Sequence, residues 1–321
     1  MKMVLFRGVL ASIMVFGSAA ASSRLDVIDL PMGFFPEGIT LGNEWTAYVG
    51  SLVDGSIWKG DLSTGQGEVV LSGDGSMAVG MDYDRRSGFL YVGGGSSGTA
   101  RIYDDDFVLV ANISLAVDGE DSFVNDVIVT KTAAYFTDSR SAKLYQVAIN
   151  RDDGMLVNGP DDPATILALS GFPNVEGTFN ANGIEVTDDN KMLIVANSQA
   201  GELYAVDPDT GAANVIDLGG VAVNGDGLIL RKNTLWVLDN GVTSGSSKVL
   251  EISLSSNLTC GSVAPRALTN ELFDSPTTGV RKGNSLYVVN AKFSTPLEDV
   301  PSTEYEIVRV DRDSGEYVCA A

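Results

Sequence analysis

Short apolar runs recur along the chain in triplets. A small or polar pair opens a short apolar strand, and a polar turn follows. A second strand ends in an aromatic or β-branched run, and a third strand is often closed by Asp and Gly. The second strands show the regularity best: "EWTAYVGS", "GFLYVGGG", "TAAYFTDS", "KMLIVANS", "NTLWVLDN" and "NSLYVVNA". The third strands include "GSIWKGDL", "ARIYDDD", "AKLYQVAI", "GELYAVDPDTG", "KVLEISL" and "YEIVRVDRDSG". The opening strands align on Gly38, Gly80, Asp126, Gly183, Gly227 and Gly279, at intervals of 42, 46, 57, 44 and 52 residues. Six units of three or four strands at this period predict an all-β fold, a six-bladed β-propeller. A β-sandwich gives evenly spaced strands but not six matching triplets.

The first strand of each propeller blade lines the central channel. The segment "RLDVIDLP", residues 24–31, precedes the first opening strand. It is too short for a blade, so it is expected to supply the outermost strand of the last blade and close the ring.

The start of the chain has a different character. Lys2 and Arg7 precede an apolar run that ends in Ala19-Ala20-Ala21. That is the pattern of a secretory signal peptide, residues 1–21, with a single propeller domain over 22–321. The mature protein is expected to be secreted. Sequons at Asn112-Ile113-Ser114 and Asn257-Leu258-Thr259 fit a glycoprotein. Cys260 and Cys319 are the only cysteines and suggest one disulfide in an oxidising compartment, tying the fifth blade to the sixth.

Charge and histidine content narrow the chemistry. The formal charge is −21, and loss of Lys2 and Arg7 with the leader takes it to −23. Nucleic acid and anionic membrane surfaces need basic patches, so neither is an expected partner. A small molecule is, met by a protein expected to be monomeric. The chain has no histidine. Ser-His-Asp and Cys-His mechanisms are therefore excluded, and any acid or base must be Asp, Glu, Lys, Tyr or a metal-bound water.

The opening strands then supply a candidate site. Glu37, Asn125, Asn182 and Asp226 stand at matching positions of blades one, three, four and five, so they are expected to converge at one channel end. Two carboxylates and two amides suit a hard cation such as calcium. Glu37 and Asp226 cannot both stay ionised near one axis without a counter-charge, and the register of Arg281 and Lys282 places neither clearly at the mouth. Asp126 reads as structural. Asp138, Asn197, Asp239 and Asn290 end second strands and read as turn residues at the other end of the blades, with Asn240 or Asn290 able to reach the channel. "DPDTG" and "DRDSG" are hairpin turns, and "GGGSSG" at residues 93–98 lacks the Gly-Lys-Ser/Thr of a phosphate loop. The stretch 158–180, which lengthens the third repeat, and residues 293–303 are candidate lids.

"FPEGI", "VNDVIVT…YFTDS", "NGIEVTDDNKMLIVANS" and "GDGLILRKNTLWVLDN" resemble the SMP-30/gluconolactonase/LRE-like superfamily across about residues 30–315. That resemblance implies a divalent metal held by Glu37, Asn182 and Asp226. It implies Asn125 as a fourth ligand or as a substrate-orienting residue. The histidine pair of the paraoxonase branch has no counterpart here, and the strictosidine synthase branch lacks the metal ring. The expected cofactor is Ca2+, or another divalent cation such as Mg2+, Mn2+ or Zn2+. The expected activity is metal-dependent hydrolysis of a lactone, ester or phosphoester, with Asp226 and Asn125 as the catalytic pair. Asp226 would act as base or nucleophile and Asn125 would orient the substrate. Two alternatives stay open: a non-catalytic propeller with a structural cation and a binding face, or a biosynthetic enzyme performing a cyclisation or isomerisation on the same metal.

Overall fold

A computed structural model describes residues 25–160 and 164–312. Six antiparallel sheets of four strands each form around one axis. Blade one runs Pro36–Leu41, Thr46–Ser51, Ile57–Asp61 and Gly67–Leu71 from the axis outwards. The inner strands of the next five blades are Met81–Asp84, Val124–Val129, Ala181–Val186, Leu228–Arg231 and Pro276–Lys282. The six-bladed propeller expected from the repeats is the fold. The only helix among the described residues is a 3-10 turn, Val300–Ser302. No helix there is long and apolar enough to cross a membrane.

Blade six closes the ring with chain from both ends. Val27–Asp29 pairs with Glu306–Asp311, Ile28 opposite Ile307, as its outermost strand. Both leader and Cys319 lie outside the described residues, so the cleavage site and the Cys260–Cys319 pairing are not described. Cys260 sits just before the outer strand of blade five, Gly261–Val263.

The core explains the apolar second strands. Phe89–Gly93, Ala133–Asp138, Leu193–Asn197 and Ser285–Asn290 are buried at every position, because each blade is packed on both faces. The buried apolar residues fall into six clusters, and each joins two neighbouring blades. Ile28, Leu30 and Phe34 belong to the cluster between blades six and one. The fold therefore has one apolar layer per blade interface, and the closing strand seals the last of them.

Two expectations need correction. The second strand runs back along the first, so its end lies beside the first strand's start. Val124 pairs with Asp138, Ala181 with Asn197 and Pro276 with Asn290. Asp138, Asn197, Asp239 and Asn290 are thus at the same end as the candidate site, not the opposite one. Only part of the lengthened third repeat lies at the channel mouth: Thr165–Ala168 is the outer strand of blade three, whereas Thr178 and Phe179 line the cavity there.

The closure gives a test. Ile28 is buried and carries the strand that seals the ring. Ile28→Ala should cost about 2–4 kcal/mol in urea unfolding, the usual loss for a buried aliphatic. Val108→Ala, at an exposed position, should cost almost nothing. Equal, small costs for the two would contradict the closure.

Candidate metal centre

The site is built where the inner strands leave regular pairing. The register shifts between Pro36 and Ile39, Val124 and Val127, Ala181 and Ile184, and Pro276 and Gly279. Each shift is a β-bulge, which re-aims a side chain and increases local twist. Glu37, Asn125, Asn182 and Thr277 are the first bulged residues. Asp226 takes the same place in blade five, where its N–H donates to the Leu238 carbonyl at 2.8 Å. Val79 takes it in blade two, donating to Gly93 at 2.9 Å.

The register corrects the alignment of the sixth repeat by one residue. Thr278, not Gly279, matches Gly38, Gly183 and Gly227. At this position each strand presses on the next blade. A Cβ on Gly38 would lie 2.1 Å from the Val79 carbonyl oxygen, and one on Gly183 would lie 2.2 Å from that of Asp226. Glycine there permits a backbone approach that no side chain allows. Instead, Gly183 N–H donates to the Asp226 carbonyl and Gly227 N–H to the Thr277 carbonyl, at 2.9 and 2.8 Å. Where glycine is missing, a side chain bridges the blades. The Thr278 hydroxyl donates to the Glu37 carbonyl at 2.7 Å, and Asp126 Oδ2 accepts from Ile184 N–H at 3.2 Å. Asp126 is structural in this sense, as expected.

Glu37, Asn125, Asn182 and Asp226 all line one cavity of about 860 Å3 at the channel mouth. All four are buried, at 4%, 4%, 7% and 4% exposure. Val79 and Thr277 fill the remaining two ring positions, and the Thr277 hydroxyl is engaged by the Glu37 carbonyl. Among the described residues, no Lys or Arg lines the cavity. Lys282 pairs with Ser285 at the far end of blade six, with Arg281 beside it, so neither supplies the counter-charge.

Side chains behind the ring orient it. The amide nitrogen of Asn125 donates to Ser139 Oγ at 2.9 Å, and that hydroxyl donates to the Ala181 carbonyl at 2.7 Å. Asn182 repeats the relay one blade on: its nitrogen donates to Ser198 Oγ at 3.0 Å, and Ser198 donates to the Gly225 carbonyl. Each amide oxygen is thereby turned away from its serine. Asn240 reaches the cavity, as the sequence allowed, and donates to Asp226 Oδ2 at 2.7 Å. Asp138, Asn197 and Asn290 pin the loops that lead into inner strands: Asp138 accepts from Phe123 N–H, Asn197 donates to the Pro173 carbonyl, and Asn290 accepts from Asp274 N–H. The serines were not singled out from sequence. Their signal was present as the last residue of "TAAYFTDS" and "KMLIVANS", at the matching place to Asn240.

Electrostatics set the site apart. Burial, then the neighbouring Asp226 and Asp126, holds the Glu37 carboxyl well above the usual carboxylate range. Burial pushes Asp226 up to about 7, partly opposed by hydrogen bonds from Asn240 and Asn182. The column continues down the channel. Burial raises Asp126 to about 7, Glu185 to about 8, and Asp82 above its ordinary value. Backbone amides accommodate these three: Val129 N–H donates to Asp82 and Leu230 N–H to Glu185. Glu37 Oε2, in contrast, is buried with no partner. An orphaned carboxylate oxygen is costly unless protonated or met by a cation. Among the described residues, no cluster of three or more His, Cys, Asp or Glu is placed to hold a metal. The ring itself offers two carboxylates and two amides, a donor set that fits a hard, oxygen-seeking cation.

No protein-family model matches the chain, and no curated protein matches its sequence. The fold does have solved relatives. The major Malassezia sympodialis allergen Mala s 1 superposes with a TM-score of 0.62 at 14% identity, covering 90% of this chain and 97% of that one. Virginiamycin B lyase from Staphylococcus aureus gives 0.58 at 12% identity, covering 82% and 80%. A streptogramin B lyase gives 0.56 at 11%, covering 89% and 97%. At such identities the likeness is one of fold: the chain is a six-bladed propeller of the kind that includes lyases and an allergen.

The carboxyl column predicts a pH dependence. Below its ordinary value of 4.5 the Glu185 carboxyl is neutral in folded and unfolded chains alike. Between 4.5 and about 8 only the unfolded chain ionises, so stability falls as pH rises through that window. The other raised carboxyls act in the same sense. Chelator-treated protein should melt at lower temperature at pH 8 than at pH 5, and Glu185→Gln should flatten the slope. A melting temperature that rises over that range in treated wild type would contradict the burial of the column.

Proposed function

We propose that the protein is a secreted, divalent-metal-dependent hydrolase of a lactone, ester or phosphoester, the activity that its resemblance to the SMP-30/gluconolactonase/LRE-like superfamily implies. The partnerless Glu37 Oε2 carries this reading: a buried oxygen on a ring of oxygen donors with no protein cation in reach. Glu37, Asn125, Asn182 and Asp226 would hold the ion, Ca2+ by the hardness of the donors, with Mg2+, Mn2+ or Zn2+ as the other candidates. When bound, such a cation supplies a Lewis acid for a carbonyl or phosphoryl oxygen.

The remaining chemistry belongs to the chain. Asp226 Oδ2 is held by Asn240, which fixes the carboxylate for proton abstraction from water or for direct attack. Asn125, locked by Ser139, is fixed to orient the substrate.

Raised carboxyls also suit elimination, and two fold relatives bear the name lyase. Product analysis separates the two reactions. Wild type reloaded with calcium should hydrolyse neutral aryl esters or lactones and take 18O from labelled water into the acid. Chelation should abolish turnover. Asp226→Asn should lower kcat by roughly 10²–10⁴, and Asp226→Ala should lose metal and turnover together. An unsaturated product without 18O would replace hydrolysis with elimination. Bound metal with no turnover on esters, lactones or phosphotriesters would sink the enzymatic reading.

A further inference from the structure

The walls above the ring carry information that the ring does not. Phe35 and Phe293 meet edge-to-face on the side of blades one and six, with ring centroids 6.0 Å apart. Phe123 and Phe179 do the same on the side of blades three and four, at 5.1 Å. All four line the cavity. Phe179 and Phe293 are 42% and 38% exposed, and Leu297 on the same rim is 78% exposed. Apolar side chains gathered at the rim of a concave site mark a place where a ligand binds. Phe35 is also held at a φ of 49°, a left-handed conformation that a bulky residue adopts only at a cost. It lies two residues before Glu37, so the strain sits at the cavity wall.

Charge narrows the occupant further. Among the described residues, Glu37 and Asp226 are the only charged ones on the lining. Without a cation they take up protons and offer an anion no counter-charge. With a divalent cation the site is neutral, and the Arg140 guanidinium is not on the lining: it stacks on Phe179 at 4.4 Å and pairs with Asp121. Most polar side chains beyond the ring belong to blades four and five, at Ser198, Gln199, Asn224, Asn240 and Thr243, while Thr178 beside Phe179 is already bonded to the Val175 carbonyl. They are too few and too one-sided to replace the hydration of a polyol.

We infer that the cavity binds an uncharged, mainly apolar molecule bearing a ring, gripped between the two phenylalanine pairs with its one polar group on the metal ring. Among the substrates of the proposed hydrolase this selects lipophilic esters and lactones over sugar lactones and phosphate monoesters. The selection rests on that reading only for what happens at the polar end. The polarity of the occupant follows from the walls. The volume of about 860 Å3 suits a drug-sized ligand.

Two dyes of one skeleton test this on the full chain, calcium-loaded and chelator-treated. N-phenyl-1-naphthylamine is neutral, and 1-anilinonaphthalene-8-sulfonate is anionic. The neutral dye should bind one saturable site, and the sulfonate should bind at least about tenfold more weakly. γ-Dodecalactone should displace the neutral dye and glucono-δ-lactone should not. Phe179→Ala and Phe293→Ala should each weaken the neutral dye by about three- to tenfold, with Val108→Ala unchanged. Both side chains are partly exposed, and circular dichroism and melting temperature should match wild type. Equal binding of both dyes, displacement by glucono-δ-lactone, or wild-type affinity in both phenylalanine variants would overturn the proposal. The dye pattern without turnover would overturn hydrolysis and leave this inference standing.

Discussion

Everything at the channel mouth follows from one constraint: six inner strands converge on an axis too crowded for ordinary pairing. Bulges relieve the crowding. They turn backbone carbonyls sideways to the next blade and aim the bulged side chains at the axis. Gly38 and Gly183 sit where a Cβ would overlap the neighbour's carbonyl oxygen. The same packing buries Glu37 and Asp226 on one cavity with no protein cation. Two carboxylates in that position must take up protons or share a cation. The raised Glu37 and Asp226 show what the chain does alone.

The rest of the structure supports this arrangement rather than adding to it. Six apolar layers hold the blades against each other, and the chain closes through Ile28 opposite Ile307. Asp138, Asn197 and Asn290 fix the loops feeding the inner strands. Ser139 and Ser198 each tie a ring amide to the carbonyl of the following blade. The ring is thus set by contacts between blades, and a change at one blade is felt at the next.

Much of this was legible in the sequence because repetition makes register visible. Matching triplets gave the blades, and matching positions gave Glu37, Asn125, Asn182 and Asp226 on one cavity. What was missed depends on side-to-side contact, which a linear pattern does not encode. Thr278 does the work of the ring glycines with its hydroxyl, so the sixth repeat, where Gly279 follows, was aligned one residue late. The polar ends of the second strands look like turn residues in any hairpin, and only antiparallel pairing shows that they back the site. The phenylalanines come from loops of four blades and meet only in space.

On the proposed reading, the ring holds a divalent cation. Anomalous diffraction from crystals soaked in Mn2+, and then back-soaked in Ca2+, tests it most directly. The predicted result is a single strong manganese peak on the axis, within coordination distance of Glu37, Asn125, Asn182 and Asp226. It should fade on back-soaking and be absent in Glu37→Gln. No peak at the ring in wild type, with Glu37 and Asp226 in contact through a shared proton, would contradict the account.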